Sequence, residues 1–189
     1  MLIDEAYLEQ RFGVKARKNI FRGQCDVNAA TTGFTSSLEN EAESSAFKKI
    51  ERLVSVRDRS VFETKKRLAK EDFSETAILC AVDKALRCNY LNDQRFADTL
   101  VRSRLSQDKG IEGIKRELDE HEISSTVYQP ILDNYIELYP SEISRALHLL
   151  ERKPPRAKNK QQAAFSKLIR SGYSTTIASA AAREWINIA

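Results

Sequence analysis

Leu68-Ala69-Lys70-Glu71-Asp72-Phe73-Ser74, Leu118-Asp119-Glu120-His121-Glu122-Ile123-Ser124 and Leu168-Ile169-Arg170-Ser171-Gly172-Tyr173-Ser174 are three copies of one pattern. In each, a leucine is followed by an apolar or aromatic residue and a serine at fixed offsets, and successive copies stand 50 residues apart without a gap. Columns of the same ruler agree in character: Phe47, Ala97, Leu147; Ile50, Leu100, Leu150; Val82, Leu132, Ala182; Leu86, Ile136, Ile186. A repeat of this length is a supersecondary unit stacked several times, in which neighbours bury what one copy leaves exposed.

Within each copy the apolar period is helical. Phe47, Ile50, Leu53, Val54 and Arg57 fall on one face of a first helix. Ser60-Val61-Phe62-Glu63 reads as a capping box that opens a second helix from Val61 to about Lys70, and Phe73-Ser74 opens a third. In the second copy Asn92 is the cap, Leu91 and Phe96 are the hydrophobic staple, and the helices are Asp93–Ser106, Ile111–His121 and Ser125–Leu138. In the third they are Glu142–Arg152, ended by Pro154 and Pro155, then Gln161–Ser171 and Thr175–Ile188. Gly172 suits a left-handed helix end, whereas Asp72 and Glu122 at the same column suit it less well. With no strand pattern of useful length, the fold class is all-α: three tandem three-helix repeats, residues 46–90, 91–140 and 141–189, stacked into a curved, elongated array. Residues 1–45 lie outside the ruler, and Asp26 to Ser45 reads as part of a flexible leader. Met1 to Phe12 carries the pattern of a short amphipathic helix, followed by a basic run through Arg11, Lys15, Arg17, Lys18 and Arg22.

With 41% hydrophobic and 31% charged residues in 189, the balance is that of a chain able to bury a core. No run approaches the roughly 18–20 apolar residues of a membrane span, and the start lacks the features of a secretory signal, so a cytoplasmic protein is expected. Three cysteines, Cys25, Cys80 and Cys88, without metal spacing fit a reducing compartment, with Cys80 and Cys88 as small core or boundary residues of one helix. The net charge of +4 hides an uneven distribution: −2 over residues 1–45, +4 over 46–90, −4 over 91–140 and +6 over 141–189. Basic ends around an acidic middle favour a polyanion, or a protein surface of alternating charge, as partner.

Tyr90-Leu91-Asn92-Asp93-Gln94-Arg95-Phe96-Ala97, with Arg57-Asp58-Arg59-Ser60 and Leu68 before it and Lys109-Gly110-Ile111 and Leu118 after it, resembles the bacterial RecX family of RecA regulators over residues 46–189. In the family's pattern a glycine precedes the aromatic of the central string and ends the second helices; here Asn89, Asp72 and Glu122 stand in those places. The resemblance implies a non-enzymatic modulator that lies in the groove of the RecA–DNA filament and restrains ATP hydrolysis and strand exchange. Apart from the resemblance, weak and non-specific contact with single-stranded DNA is expected of basic clusters, no cofactor is expected, and a monomer is expected because no long apolar seam is offered for self-association.

The central string has a structural explanation of its own, with Asn92 capping, Tyr90 packed and Arg95 paired to Asp98 or Asp93. Candidate RecA- or DNA-binding residues lie elsewhere. Arg52, Arg102 and Arg152 occupy one column, where guanidinium groups suit carboxylates or phosphates. Arg57, Arg59, Lys65, Lys66, Arg67 and Lys70 form one cluster, with Lys115 and Arg116 recurring at the columns of Lys65 and Lys66. Arg152, Lys153, Arg156, Lys158 and Lys160 form another around the two prolines. Such clusters follow phosphates without reading bases, and equally meet acidic protein surface. His121 and His148 are isolated in helical sequence with no nucleophile or metal motif, and no glycine-rich phosphate loop is present, so no catalytic or metal residue is assigned. Two other readings remain open: a DNA-binding repeat acting without RecA, and a helical adaptor for a different protein.

Overall fold

The computed structural model describes residues 36–188, and nine helices with no strand account for its regular structure among them. They are α1 (Ser36–Val54), α2 (Val61–Ala69), α3 (Glu75–Arg87), α4 (Asp93–Ser106), α5 (Ile111–Glu120), α6 (Ser125–Leu138), α7 (Glu142–Arg152), α8 (Lys160–Arg170) and α9 (Thr175–Ile188). Most starts follow from side-chain caps. Ser60, Ser74, Asn92, Ser124, Ser141 and Asn159 each accept a hydrogen bond from a first-turn amide, which satisfies a donor that the helix ladder leaves open.

Each run of three helices closes on its own apolar cluster. The first gathers Ala46, Ile50, Leu68, Ile78, Val82 and Leu91; the second Phe96, Leu100, Leu118, Ile123 and Leu132; the third Ala146, Leu150, Leu168, Tyr173 and Ala182. The ruler's Leu68, Leu118 and Leu168 are fully buried. Truncating any of them to alanine costs about 2–5 kcal/mol. The column of Leu86, Ile136 and Ile186 behaves differently, because Leu86 and Ile136 are exposed and only Ile186 packs against a core.

Several expectations need correction. Helix α1 begins at Ser36, so Ser36 to Ser45 is helical rather than leader. Glu41, Ala42 and Glu43 are strong helix formers, and they precede the buried Ala46 in this helix. That helix ends at Val54, before Arg57. The readings of Met1 to Phe12, of the basic run and of the rest of the leader fall on residues outside those described. Asp72, Asn89 and Glu122 all adopt the left-handed conformation, at φ of 59°, 56° and 57°, like Gly172 at 89°. Helix ends here are dictated by the turn back into the core, not by the local preference for glycine. Cys80 is exposed rather than in the core, and Cys88 is half-buried. Among the described residues, no helix is long and apolar enough to cross a membrane.

Candidate functional site

Two junctions hold successive repeats together, and they decide which cations remain free. At the first, Asp93 at the start of α4 accepts from the Val61 amide at 2.9 Å, the opening donor of α2. The Arg95 guanidinium donates from Nε to Asp58 at 2.9 Å and from its Nη atoms to the carbonyls of Asn89 and Tyr90, so it pairs neither with Asp98 nor with Asp93. Ser60 Oγ lies 3.0 Å from His121 Nδ1, and the His121 ring stands edge-on to Phe96 at 4.8 Å. The staple residues divide their work: Leu91 sits in the first core and Phe96 in the second.

Here the second half of the capping box is lost. The Ser60 hydroxyl accepts from the Glu63 amide at 3.1 Å as expected, but the Glu63 carboxylate turns to Arg57 and Arg59. Charge-assisted bonds to guanidinium outcompete a neutral amide. Arg59, with its side chain only 16% exposed, is thereby tied to Glu63 within its own repeat rather than left on a free surface, whereas Arg57 stays half exposed.

At the second junction the backbone itself makes the contact. Gly110 donates to the Ser171 carbonyl at 3.1 Å and Gly113 to the Gly172 carbonyl at 2.8 Å, while Glu142 accepts from the Ile111 amide at 3.0 Å. Three columns recur from the first junction, with Gly110 where Ser60 stands, Ile111 where Val61 stands and Ser171 where His121 stands, whereas Glu142 lies one position before the column of Asp93. The Tyr173 hydroxyl donates to the carbonyl of Asp108, whose buried carboxylate takes His148 Nδ1 at 2.9 Å and Arg152 at 3.4 Å. Burial pushes the Tyr173 phenol well above its usual range. Neither histidine is therefore isolated; each bridges repeats, with partners 61 and 40 residues away. No group of three His, Cys, Asp or Glu side chains among the described residues is placed to hold a metal ion.

The remaining candidates are largely solvent-facing. Lys65, Lys66 and Arg67 on α2 and Lys70 at its C-terminal cap are exposed; Lys66 lies 5.6 Å from the Phe62 ring centroid, and Arg67 reaches Glu71 at 3.7 Å. Arg57, Phe62, Glu63, Lys66, Glu120 and His121 surround an open cleft of about 500 Å³ at the first junction. On α5, Lys115 is half-buried and Arg116 exposed. Arg52, Arg102, Lys153, Arg156, Lys158 and Lys160 are all exposed, while Arg152 is committed in part to Asp108.

Four cations that are not among the binding candidates line or adjoin the second junction. Arg104, Lys109 and Arg170 share a cleft with Arg116, and Lys167 lies close enough to Lys153, Arg152 and Arg170 to feel their charges. Burial, then that repulsion, lowers the Lys167 ammonium below its ordinary value. In contrast, Arg104 grips Glu117 with bonds of 2.7 and 2.5 Å and holds its carboxyl below the usual carboxylate range. The ruler carried a signal for two of them, since Lys167 and Arg170 occupy the columns of Arg67 and Lys70.

Over 119 residues the chain is 31% identical to the regulatory protein RecX of Haemophilus influenzae, a match covering 62% of this chain and 75% of that protein. The chain belongs to the RecX family. A family model described as the second three-helix domain of RecX matches residues 92–129, from the α4 cap into α6. The regulatory protein RecX of Vibrio parahaemolyticus is 31% identical over 77 residues, which span 41% of this chain and 50% of that relative. The crystal structure of RecX from Lactobacillus salivarius superposes with a TM-score of 0.59 at 22% identity, covering 78% of this chain and 99% of that one. A second RecX crystal structure gives 0.60 at 16% identity, over 80% and 78%. These likenesses establish the all-helical RecX fold.

Proposed function

We propose that this protein binds the RecA–DNA filament and restrains its ATPase, strand exchange and recombination, acting in the cytoplasm as a monomeric, non-enzymatic regulator. The observation that carries this reading is the row of exposed cations on α2, in a chain of the RecX family. Lys65, Lys66 and Lys70 make no ion pair among the described residues, and the pair of Arg67 with Glu71 is long and exposed. Such a pair contributes little and exchanges readily for an acidic partner. Arg59 and Arg95 are different, because Arg59 is paired to Glu63 within its own repeat and Arg95 is spent on holding repeats in register.

Co-sedimentation tests the reading. RecA of the same bacterium is assembled on single-stranded DNA with a slowly hydrolysed ATP analogue, and the pelleted fraction of this protein is measured. Saturable pelleting with the filament, reduced by Lys66→Glu, Arg67→Glu and Lys70→Glu together, is expected; pelleting no greater than with DNA alone refutes it.

A further inference from the structure

The first repeat's cations project from a helix face, whereas those of the second junction line a cleft of about 260 Å³ between α5 and α8. Its walls hold Arg104, Lys109, Arg116 and Arg170 against the carboxylates of Glu117 and Glu120. Glu117 is already spent on Arg104, while Lys109, Arg116 and Arg170 make no ion pair among the described residues. Arg170 gives only its Nε to a carbonyl, that of Ser166, within its own helix.

What completes the cleft narrows the ligand. Beyond charge it is lined by Gly113, Ser171, Gly172 and the buried Ile114, so it offers no exposed aromatic or aliphatic anchor. A protein partner ordinarily docks such an anchor into a pocket, and a nucleobase ordinarily stacks on an aromatic ring. A phosphodiester backbone requires neither, only spaced cations. The α5 amides are not the donors, since those of Gly110, Ile111 and Gly113 are bonded across the junction.

We propose that this cleft, continued by Lys167 on α8 and Lys153 at the end of α7, holds the phosphate backbone of single-stranded DNA in a sequence-blind manner. Burial first, and then the apposed cations of Lys153, Arg152 and Arg170, disfavour the Lys167 charge in the free protein, and phosphates entering beside it would offset that repulsion. The inference rests on the filament-regulator reading only in taking DNA as the biological ligand. It assigns DNA to the second junction and leaves α2 for RecA.

The experiment uses the full chain without RecA: anisotropy of a labelled oligothymidylate as a function of salt. Lys167→Gln with Arg170→Gln should weaken binding about tenfold or more and reduce the salt slope by roughly 1.4, at about 0.7 per lost contact on a single strand. The variant reversing Lys66, Arg67 and Lys70 should bind DNA within about twofold of the parent. In the unaltered protein the oligonucleotide should also protect Lys109 and Lys167 from acylation, a readout that stands if the double variant misfolds. Undetectable DNA binding by the parent, an unchanged slope in the double variant, or protection confined to α2 overturns the proposal. So does loss of RecA inhibition with DNA binding intact, which would make the cleft a site for acidic protein surface and leave the regulator reading standing.

Discussion

Replacing Gly113 by alanine should destabilise the chain, although the substitution adds a strong helix former to α5. Propensity alone favours alanine by about 0.8–1 kcal/mol. An added Cβ, however, would lie 2.7 Å from the Gly172 Cα and 3.5 Å from the carbonyl oxygens of Ser171 and Gly172. These are backbone atoms, and Gly172 is held at φ 89°, so no flexible side chain can swing aside. Restoring an ordinary carbon–carbon contact of about 3.5–4.0 Å requires the helices to part by roughly 1 Å. That stretches the bonds from Gly113 to Gly172 at 2.8 Å and from Gly110 to Ser171 at 3.1 Å beyond useful length. Two lost bonds at about 1 kcal/mol each, with a further overpacking cost of about 1 kcal/mol, exceed the propensity gain and leave a net loss of about 1–3 kcal/mol. Thermal unfolding followed by far-ultraviolet circular dichroism should show a midpoint lower by about 3–10 °C. An unchanged or raised midpoint would refute the backbone-contact account of this junction.

At the same column as Gly172, Glu122 stands at φ 57°, and Glu122→Gly should raise stability by about 0.5–1 kcal/mol; a lower urea midpoint would contradict this. Arg95→Lys keeps the charge but loses the fork that joins Asp58 to the carbonyls of Asn89 and Tyr90, and with the side chain 40% exposed it should cost about 1–2 kcal/mol in urea unfolding. Because Arg104 holds Glu117 below the ordinary carboxylate range, that pair stabilises fully above the unfolded-state pKa and is lost as pH falls through the lowered folded value. Glu117→Gln should therefore flatten the acid limb of stability against pH, and an acid limb as steep as the parent's would show that the pair contributes nothing.

Local features of the fold were legible. Caps such as Ser74, Asn92 and Ser124 act within three residues of themselves, and the leucines of the ruler mark the buried face directly. Long-range choices were not. Nothing local tells Arg95 to choose Asp58, 37 residues back, over the aspartates beside it. The left-handed turns at Asp72, Asn89 and Glu122 are likewise imposed by packing against residue preference. For the candidate site, exposure of the α2 cations follows from their place opposite Leu68. The convergence of Lys109, Arg116 and Arg170 depends on how α5 and α8 meet, which periodicity does not encode. The histidines show the same limit, since His121 and His148 acquire partners only when repeats stack.

The most direct test of the central claim is the single-stranded-DNA-dependent ATPase of RecA from the same bacterium, titrated with this protein and with its Lys66→Glu, Arg67→Glu, Lys70→Glu variant. The account predicts that ATP turnover falls with the parent and is restored in the variant at equal concentration. Unchanged turnover at saturating parent protein would contradict it.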